Sequence, residues 1–579
     1  MEQIHPIAQQ LSKLQISAKE SVADSGIQNT DQLKEYLHIT REPETILKQI
    51  ILDAAQDDKA SLILVCGNVG DGKSHTLAQI QKDPEVKSVI SGFNVHNDAT
   101  ESDSPKKTCI ETLDVLLDCF SDEKLGTTTT KQIVAINLGT LSNFIAETGD
   151  KYSKLANYIL ENKIVEEDLT YSVDSVTHPH FKHVNFTDYH LYNLTSQGAK
   201  LGILDTLLER IVENKSTNSI YQGYVEIKDE NWAKDCLIRL NYEFLFNIDN
   251  RKRISDLILR LVVKDKVIIS VRQLLNFIHD LIVPANLSKL PIPEYISTIS
   301  KYSISQKLHN YLPFYIFDNP NLSFIFNGLK TLDPCYFRSE SLDQVILDLN
   351  TGKTALLNKI IELNFDENIS CWIQDDKIKR DFIIAFVIRL EYFTKMHNHQ
   401  EDNFVRFCKA LYFDNTNQSL GLIEIHDDIK KAVKNWYGNT YVTDKVMLLV
   451  ESTQNKFRLF KTQKTKLIPG KKSKDAPEEL LKFTSSLRLN FEGVNNGKSH
   501  KIEIDYGLFE LLERINRGYR PNKIDRNNYM YFSNFVDKLF YEDASTATIY
   551  VDEINVDHDI DYILSKDEYG RFTFENMSL

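Results

Sequence analysis

The chain has 579 residues, with 68 basic against 82 acidic side chains and a formal net charge of −14. Such a length exceeds what one hydrophobic core supports and points to about four domains; 42% apolar and 26% charged residues are the composition expected of a soluble globular protein. The acidic balance argues against a protein that grips duplex DNA alone over a wide face, so contact with nucleic acid needs a local patch or a partner.

In chain order, Ile7–Leu14 reads as an amphipathic helix followed by a Ser/Gly/Asn-rich linker. The absence of a basic, then apolar, leader at the start points away from secretion. Thr45–Ala55 places Ile46, Ile50 and Ile51 on one helical face. Ser61–Cys66 is an uninterrupted apolar run, as a buried parallel strand reads. It runs into Gly67-Asn68-Val69-Gly70-Asp71-Gly72-Lys73-Ser74-His75, which contains G-x-x-x-x-G-K-[ST]. Leu77 and Ile80 then fall at helical spacing, with no proline before Pro84. Strand, glycine loop and helix form the context that a phosphate-binding loop requires. Glycines let successive N–H groups face one point at a helix N-terminus, and that point attracts an anion. Lys73 is the catalytic cation expected to reach the β- and γ-phosphates of ATP, and the Ser74 hydroxyl the expected ligand of Mg²⁺. The competing reading is an ordinary glycine turn.

Two similar stretches fail the same test. Asn350-Thr351-Gly352-Lys353-Thr354 has Leu347 where the first glycine belongs. Gly493–Ser499 is one residue too short and lies between two alternating runs, so it reads as a hairpin turn.

Val86–Val95 reads as a second strand, ending in the polar tip Asn97-Asp98-Ala99-Thr100-Glu101; Cys109–Phe120 reads as a helix. Gln132–Gly139 is a third strand, with a helix from Ser142; Val184–Phe186 and Lys266–Val271 are further short strands. This alternation over 61–285 predicts an α/β P-loop NTPase core with a doubly wound, mostly parallel sheet. It follows an N-terminal helical segment, 1–60. Residues 286–440 are mostly helical in period, for example Leu356–Leu363 and Arg380–Phe393; 441–579 form a β-rich, mixed α/β region. That region has strands at 446–451, 457–460, 487–505, 548–553 and 572–574, and helices near 506–516 and 528–540. The longest apolar runs, such as Val262–Val271, carry charges, and the seven cysteines are scattered without C-x-x-C. A cytoplasmic protein with reduced thiols and no membrane span is expected.

Hydrolysis needs a carboxylate at the end of a neighbouring strand to hold Mg²⁺. The third strand ends in Asn137, an amide without charge. Asp98, with Ser74, is the expected metal pair; Glu101 and Asp188 are the alternatives, and for each the commoner reading is a solvated loop acid. Arg272 opens a helix after an apolar run and is placed as a γ-phosphate sensor or finger; a plain surface arginine fits the same spot. Arg520, in a Gly-Tyr-Arg-Pro-Asn loop, is a weaker candidate. Between Lys456 and Lys474, Arg458, Lys461, Lys464, Lys466, Lys471 and Lys472 interleave with Phe457 and Phe460. The stretch suits either phosphate-backbone contact or a hairpin edge protected by lysines.

Gly67–His75, followed by Asn97–Glu101 and Ile136-Asn137-Leu138-Gly139, resembles the DNA phosphorothioation-dependent restriction protein family DptF, also called DndF. Val271–Pro284, Leu332-Asp333-Pro334 with Arg338, and Gly518–Asn522 extend the resemblance over most of the chain. It implies an ATP-binding, ATP-hydrolysing subunit of a bacterial defence system, acting with DptG-like and DptH-like subunits on DNA that lacks phosphorothioate marks. On it, Gly67 to Ser74 form the ATP site. No nuclease motif is visible, and a nucleotide-sensing scaffold that does not hydrolyse ATP is the rival reading.

Overall fold

The computed structural model describes residues 4–15, 32–97, 108–165, 176–336, 378–394, 403–438, 445–447, 457–462, 465–467, 476–493, 499–541, 548–553 and 562–576 except 568, with isolated positions between 343 and 373. The chain forms two compact units: 1–193 with 200–398, and 194–199 with 399–579.

The first unit is built on a parallel sheet of β1 (Ser61–Cys66), β2 (Asn94–His96), β3 (Lys131–Ile136) and β4 (Phe181–Asn185), in the order β2-β3-β1-β4. β1 is paired along both edges, Cys66 standing opposite Ile136 of β3 and Asn185 of β4. Alternate side chains serve opposite cores, because successive strand residues point to opposite faces. Leu62, Leu64 and Cys66 join Leu113, Leu117, Leu141 and Phe144 on one side. Ile63 and Val65 join Leu47, Ile51, Leu77 and Ile80 on the other. Both faces are thus covered by helices, which is why β1 reads as a continuous apolar run and not as an alternating one. The expectation of an α/β core with helical parts holds at this level.

The sheet is shorter than the sequence suggests. Val86–Val95 is not a strand: Asp83 accepts from the Glu85 N–H and Pro84 starts a short helix, Pro84–Lys87, leaving only Asn94–His96 extended. Asp followed by Pro at a helix start outweighs the β-prone valines. Nor does Lys266–Val271 form a strand. Helix Ile248–Asp265 ends on Lys266 in the left-handed region (φ 51°), and Ser270 opens helix Val271–Ile282 with a capping box to Gln273. Two caps close together leave no room for a strand. Residues 202–282 are accordingly helical, and the described parallel sheet ends at Asn185. The helix expected from Ser142 starts earlier, at Leu138, because Asn137 caps it.

The later helices of this unit include Arg380–Thr394, as expected; Leu356–Leu363 and the decoy at 351–354 lie outside the described residues. Arg389 is buried there and holds Asp333 with Nε at 3.2 Å and Nη2 at 2.6 Å, while Nη2 also reaches Asp318 at 2.8 Å. Such a buried pair fixes three helical segments, since removing one partner strands the other charge. Asp333 belongs to the Leu332-Asp333-Pro334 stretch of the resemblance; Arg338 lies outside the described residues.

In the second unit, helices Asn403–Asn415 and Ile423–Lys434 accompany strands Leu487–Gly493 and Ser499–Ile504, which pair antiparallel as the expected hairpin. Residues 194–199 belong here, Leu194 pairing with Leu480. Phe457–Thr462 lies inside a five-stranded sheet, between Ile549–Glu553 and Lys445–Met447. That corrects the edge reading for Phe457–Thr462, which is not an edge and buries Phe460 and Lys461, but not for Lys466, whose strand Thr465–Leu467 is the edge of a three-stranded sheet beside Leu487–Gly493. Lys456, Lys464, Lys471, Lys472 and Lys474 lie outside the described residues.

In the first unit, His5 caps helix Pro6–Ser12 and is fully buried against the Cys236 sulfur at 3.1 Å. Burial holds its imidazole down to about 3. Below pH 6.5 the unfolded chain takes a proton that the folded chain refuses, so stability is present above 6.5 and is lost as pH falls toward 3. The slope is at most about 1.4 kcal/mol per pH unit. His426 in the second unit, lowered to about 4 by burial, contributes with the same sign. In thermal melts from pH 7 to 4, His5→Gln is expected to flatten the acid limb relative to wild type; an unchanged slope would contradict the assignment.

Candidate functional site

At the C-terminal edge of β1 the chain leaves the sheet through three glycines with positive φ: Gly67 (154°), Gly70 (93°) and Gly72 (92°). A side chain is strained in all three conformations. Gly72 is the N-cap of helix Lys73–Lys82, and the Thr76 N–H returns to its carbonyl at 2.8 Å. The loop therefore ends as the open N-terminus of a helix, where backbone N–H groups and the helix dipole favour an anion.

The Lys73 ammonium folds back across the loop, donating to the carbonyls of Gly67 and Asn68, each at 2.8 Å. The Asn68 N–H donates to the Asp71 carboxylate at 2.6 Å. Burial raises the Asp71 carboxyl above its usual range, against the opposing pull of that N–H, Lys73 and Arg41. Ser74 is exposed, with its hydroxyl 3.4 Å from the Asn97 carbonyl at the tip of β2. Asp98 and Glu101 follow Asn97 in sequence and lie outside the described residues. His75 faces outward and bonds His38 at 3.0 Å, which in turn bonds Glu44 at 3.1 Å.

Other expected residues meet this edge in different ways. Asn137 directly follows β3, next to β1, but its amide oxygen accepts the Gly139 N–H at 2.9 Å and so closes a helix. Asp188 sits in the turn Phe186–Asp188 after β4 and accepts from the Asn185 amide at 2.7 Å. It is close enough to add to the burial that pushes the Cys66 thiol up to about 12. Arg272 lies in the first turn of helix Val271–Ile282, half-buried, and the start of that helix abuts the loop: a Cβ on Gly70 would stand 3.0 Å from the Ser270 hydroxyl. The expectation that Arg272 opens a helix holds, but a helix cap and not a strand precedes it. Arg520 is exposed in the second unit, where Arg514 stacks 4.0 Å over Tyr519 and Tyr519 bonds Asp525 at 2.6 Å.

Sequence reading missed Arg41, Phe186 and Ser270. Phe186 packs under the loop, its Cβ 3.0 Å from where a Cβ on Gly67 would be. These contacts join residues far apart in sequence, and no local pattern announces them.

Mg²⁺ usually keeps several waters and takes only one or two protein oxygens beside the phosphates. Ser74 fits such a role, as an exposed hydroxyl on the first turn of the helix. Among the described residues there is no cluster of three or more His, Cys, Asp or Glu able to hold a metal, and no helix long and apolar enough to cross a membrane. Searches against known protein families and against curated proteins found no match to this chain.

The glycines separate strain from crowding. Around Gly72 nothing lies within 4 Å of an added Cβ, so Gly72→Ala carries only the backbone cost, about 1–2 kcal/mol. Gly67→Ala must also displace Phe186 and is expected to lower stability further in urea melts. Equal losses for the two variants would contradict the packing described for Phe186.

Proposed function

We propose that the chain is a P-loop NTPase subunit that binds ATP with Mg²⁺ through Gly67–His75 and hydrolyses it. The observation that carries this reading is the placement of the Lys73-bearing glycine loop. It lies between a parallel strand covered on both faces and the N-terminus of helix Lys73–Lys82, at the sheet edge where ligands of open α/β folds bind. Lys73 would exchange its two carbonyl bonds for phosphate oxygens, neutralising charge that grows as the terminal phosphoryl leaves. The loop N–H groups would hold the bridging phosphates. Ser74 would ligate Mg²⁺, with Asp98 as the second ligand, and Mg²⁺ supplies further neutralisation when bound. Arg272 would meet the terminal phosphate from the helix start beside Gly70.

From the resemblance at Gly67–His75, Asn97–Glu101 and Ile136–Gly139, we place this activity in a bacterial restriction complex. That complex acts with DptG-like and DptH-like subunits on DNA without phosphorothioate marks, in the cytoplasm. A second reading, a nucleotide-sensing scaffold without turnover, is favoured by Asn137, whose amide is committed to capping where hydrolytic enzymes carry an acid.

ATP turnover by the purified chain, with and without unmodified DNA, tests the first reading against the second. Lys73→Ala is expected to lower turnover by on the order of a hundredfold or more. Tight ATP binding with no turnover, with and without DNA, would favour the scaffold.

A further inference from the structure

Arg41 precedes helix Glu42–Gln56 as its N-cap residue, far from the glycine loop in sequence but against it in space. Its Nη1 donates to the Asp71 carbonyl at 3.2 Å, and its guanidinium carbon lies 5.9 Å from the centre of the Phe186 ring. Phe186 in turn packs under Gly67, so Arg41 bonds the loop at Asp71 and reaches Gly67 only through Phe186.

The electrostatics around it are unbalanced. A guanidinium carries five N–H donors, and among the described residues only Nη1 makes a hydrogen bond. Among the described residues no carboxylate closes an ion pair with it. Asp71 and Glu44 are near enough to be felt, but Asp71 accepts from the Asn68 N–H and Glu44 from His38. Burial accordingly pulls the Arg41 guanidinium below its ordinary range. A half-buried arginine with donors to spare suits planar, multidentate recognition of phosphate oxygens.

We propose that Arg41 is a further cation of the nucleotide site: it braces the loop through the Asp71 carbonyl and contacts the phosphate chain of the bound nucleotide. The proposal rests on the nucleotide reading of the loop. It gives the segment before β1 a part in binding, so that this segment and the loop order together when nucleotide enters.

The test is calorimetric titration of the full chain with MgATP at several salt concentrations, for wild type, Arg41→Gln, Arg41→Lys and Lys73→Ala, with melting temperatures as a folding control. Wild-type binding that Lys73→Ala abolishes secures the loop as the site. Arg41→Gln is then expected to weaken MgATP about tenfold or more and to make the affinity less sensitive to salt, because one charge facing the phosphates is gone. Arg41→Lys is expected to recover part of the affinity and the full salt dependence. A weakened Arg41→Gln with wild-type salt dependence would overturn the phosphate contact and leave only bracing, and unchanged affinity would overturn both. If Arg41→Gln melts below the assay temperature, Arg41→Lys carries the comparison: salt dependence unlike wild type would then overturn the proposal. A wild type that binds no nucleotide would remove the loop reading itself, and Arg41 with it.

Discussion

Strand β1 is hydrogen-bonded on both edges and buried on both faces, and everything at its C-terminal end inherits its position. Its six residues are each 2% exposed or less. Burying an apolar side chain of this size is worth about 1.5–3 kcal/mol, so the strand offsets the conformational freedom that the three glycines after it lose on folding. That balance lets three glycines with positive φ, which would be a weakness in an isolated peptide, hold one shape at the sheet edge. The helix that begins at Lys73 is anchored by Leu77 and Ile80 in the same core. Strand, loop and helix are thus a single mechanical element, with the glycine loop held between two packed ends.

Around that element the charged side chains bond the loop itself. Lys73 bonds two carbonyls of its own loop, Arg41 bonds a third, and the Asp71 carboxylate occupies an N–H at the loop's start. Each of these is a modest interaction, exchangeable for a phosphate oxygen of higher charge. Elsewhere in the same unit a buried arginine is treated differently: Arg389 is gripped by Asp318 and Asp333 together. Arg389 is committed to the fold, whereas among the described residues Arg41 makes one hydrogen bond, through Nη1.

What the sequence revealed was local. The apolar run 61–66, the glycine spacing and the helical period after Lys73 each depend on neighbours in the chain, and all three are present as expected. Caps defeated the reading twice: Asp83-Pro84 turned an apparent strand into a helical turn, and Lys266 with Ser270 fitted two helix ends into a stretch of strand-like residues. Contacts across long separations were invisible. Nothing in the residues at 41, 186 or 270 tells that they gather on one loop, because that depends on strand order and on where later helices return. Asn137 lay between these cases: its place at the end of β3 was legible, but its role as a helix cap was not.

The central claim is that the loop after β1 is an anion cradle for a nucleotide. Amide hydrogen exchange over residues 67–76, with and without MgATP, tests it most directly, since the bound phosphates would take the loop N–H groups as partners. The account predicts slowed exchange confined to this loop, the start of its helix and the Arg41 segment, and no such change in Lys73→Ala. Exchange in the loop that MgATP leaves unaltered in the wild type, at concentrations saturating for ordinary ATP sites, would contradict it.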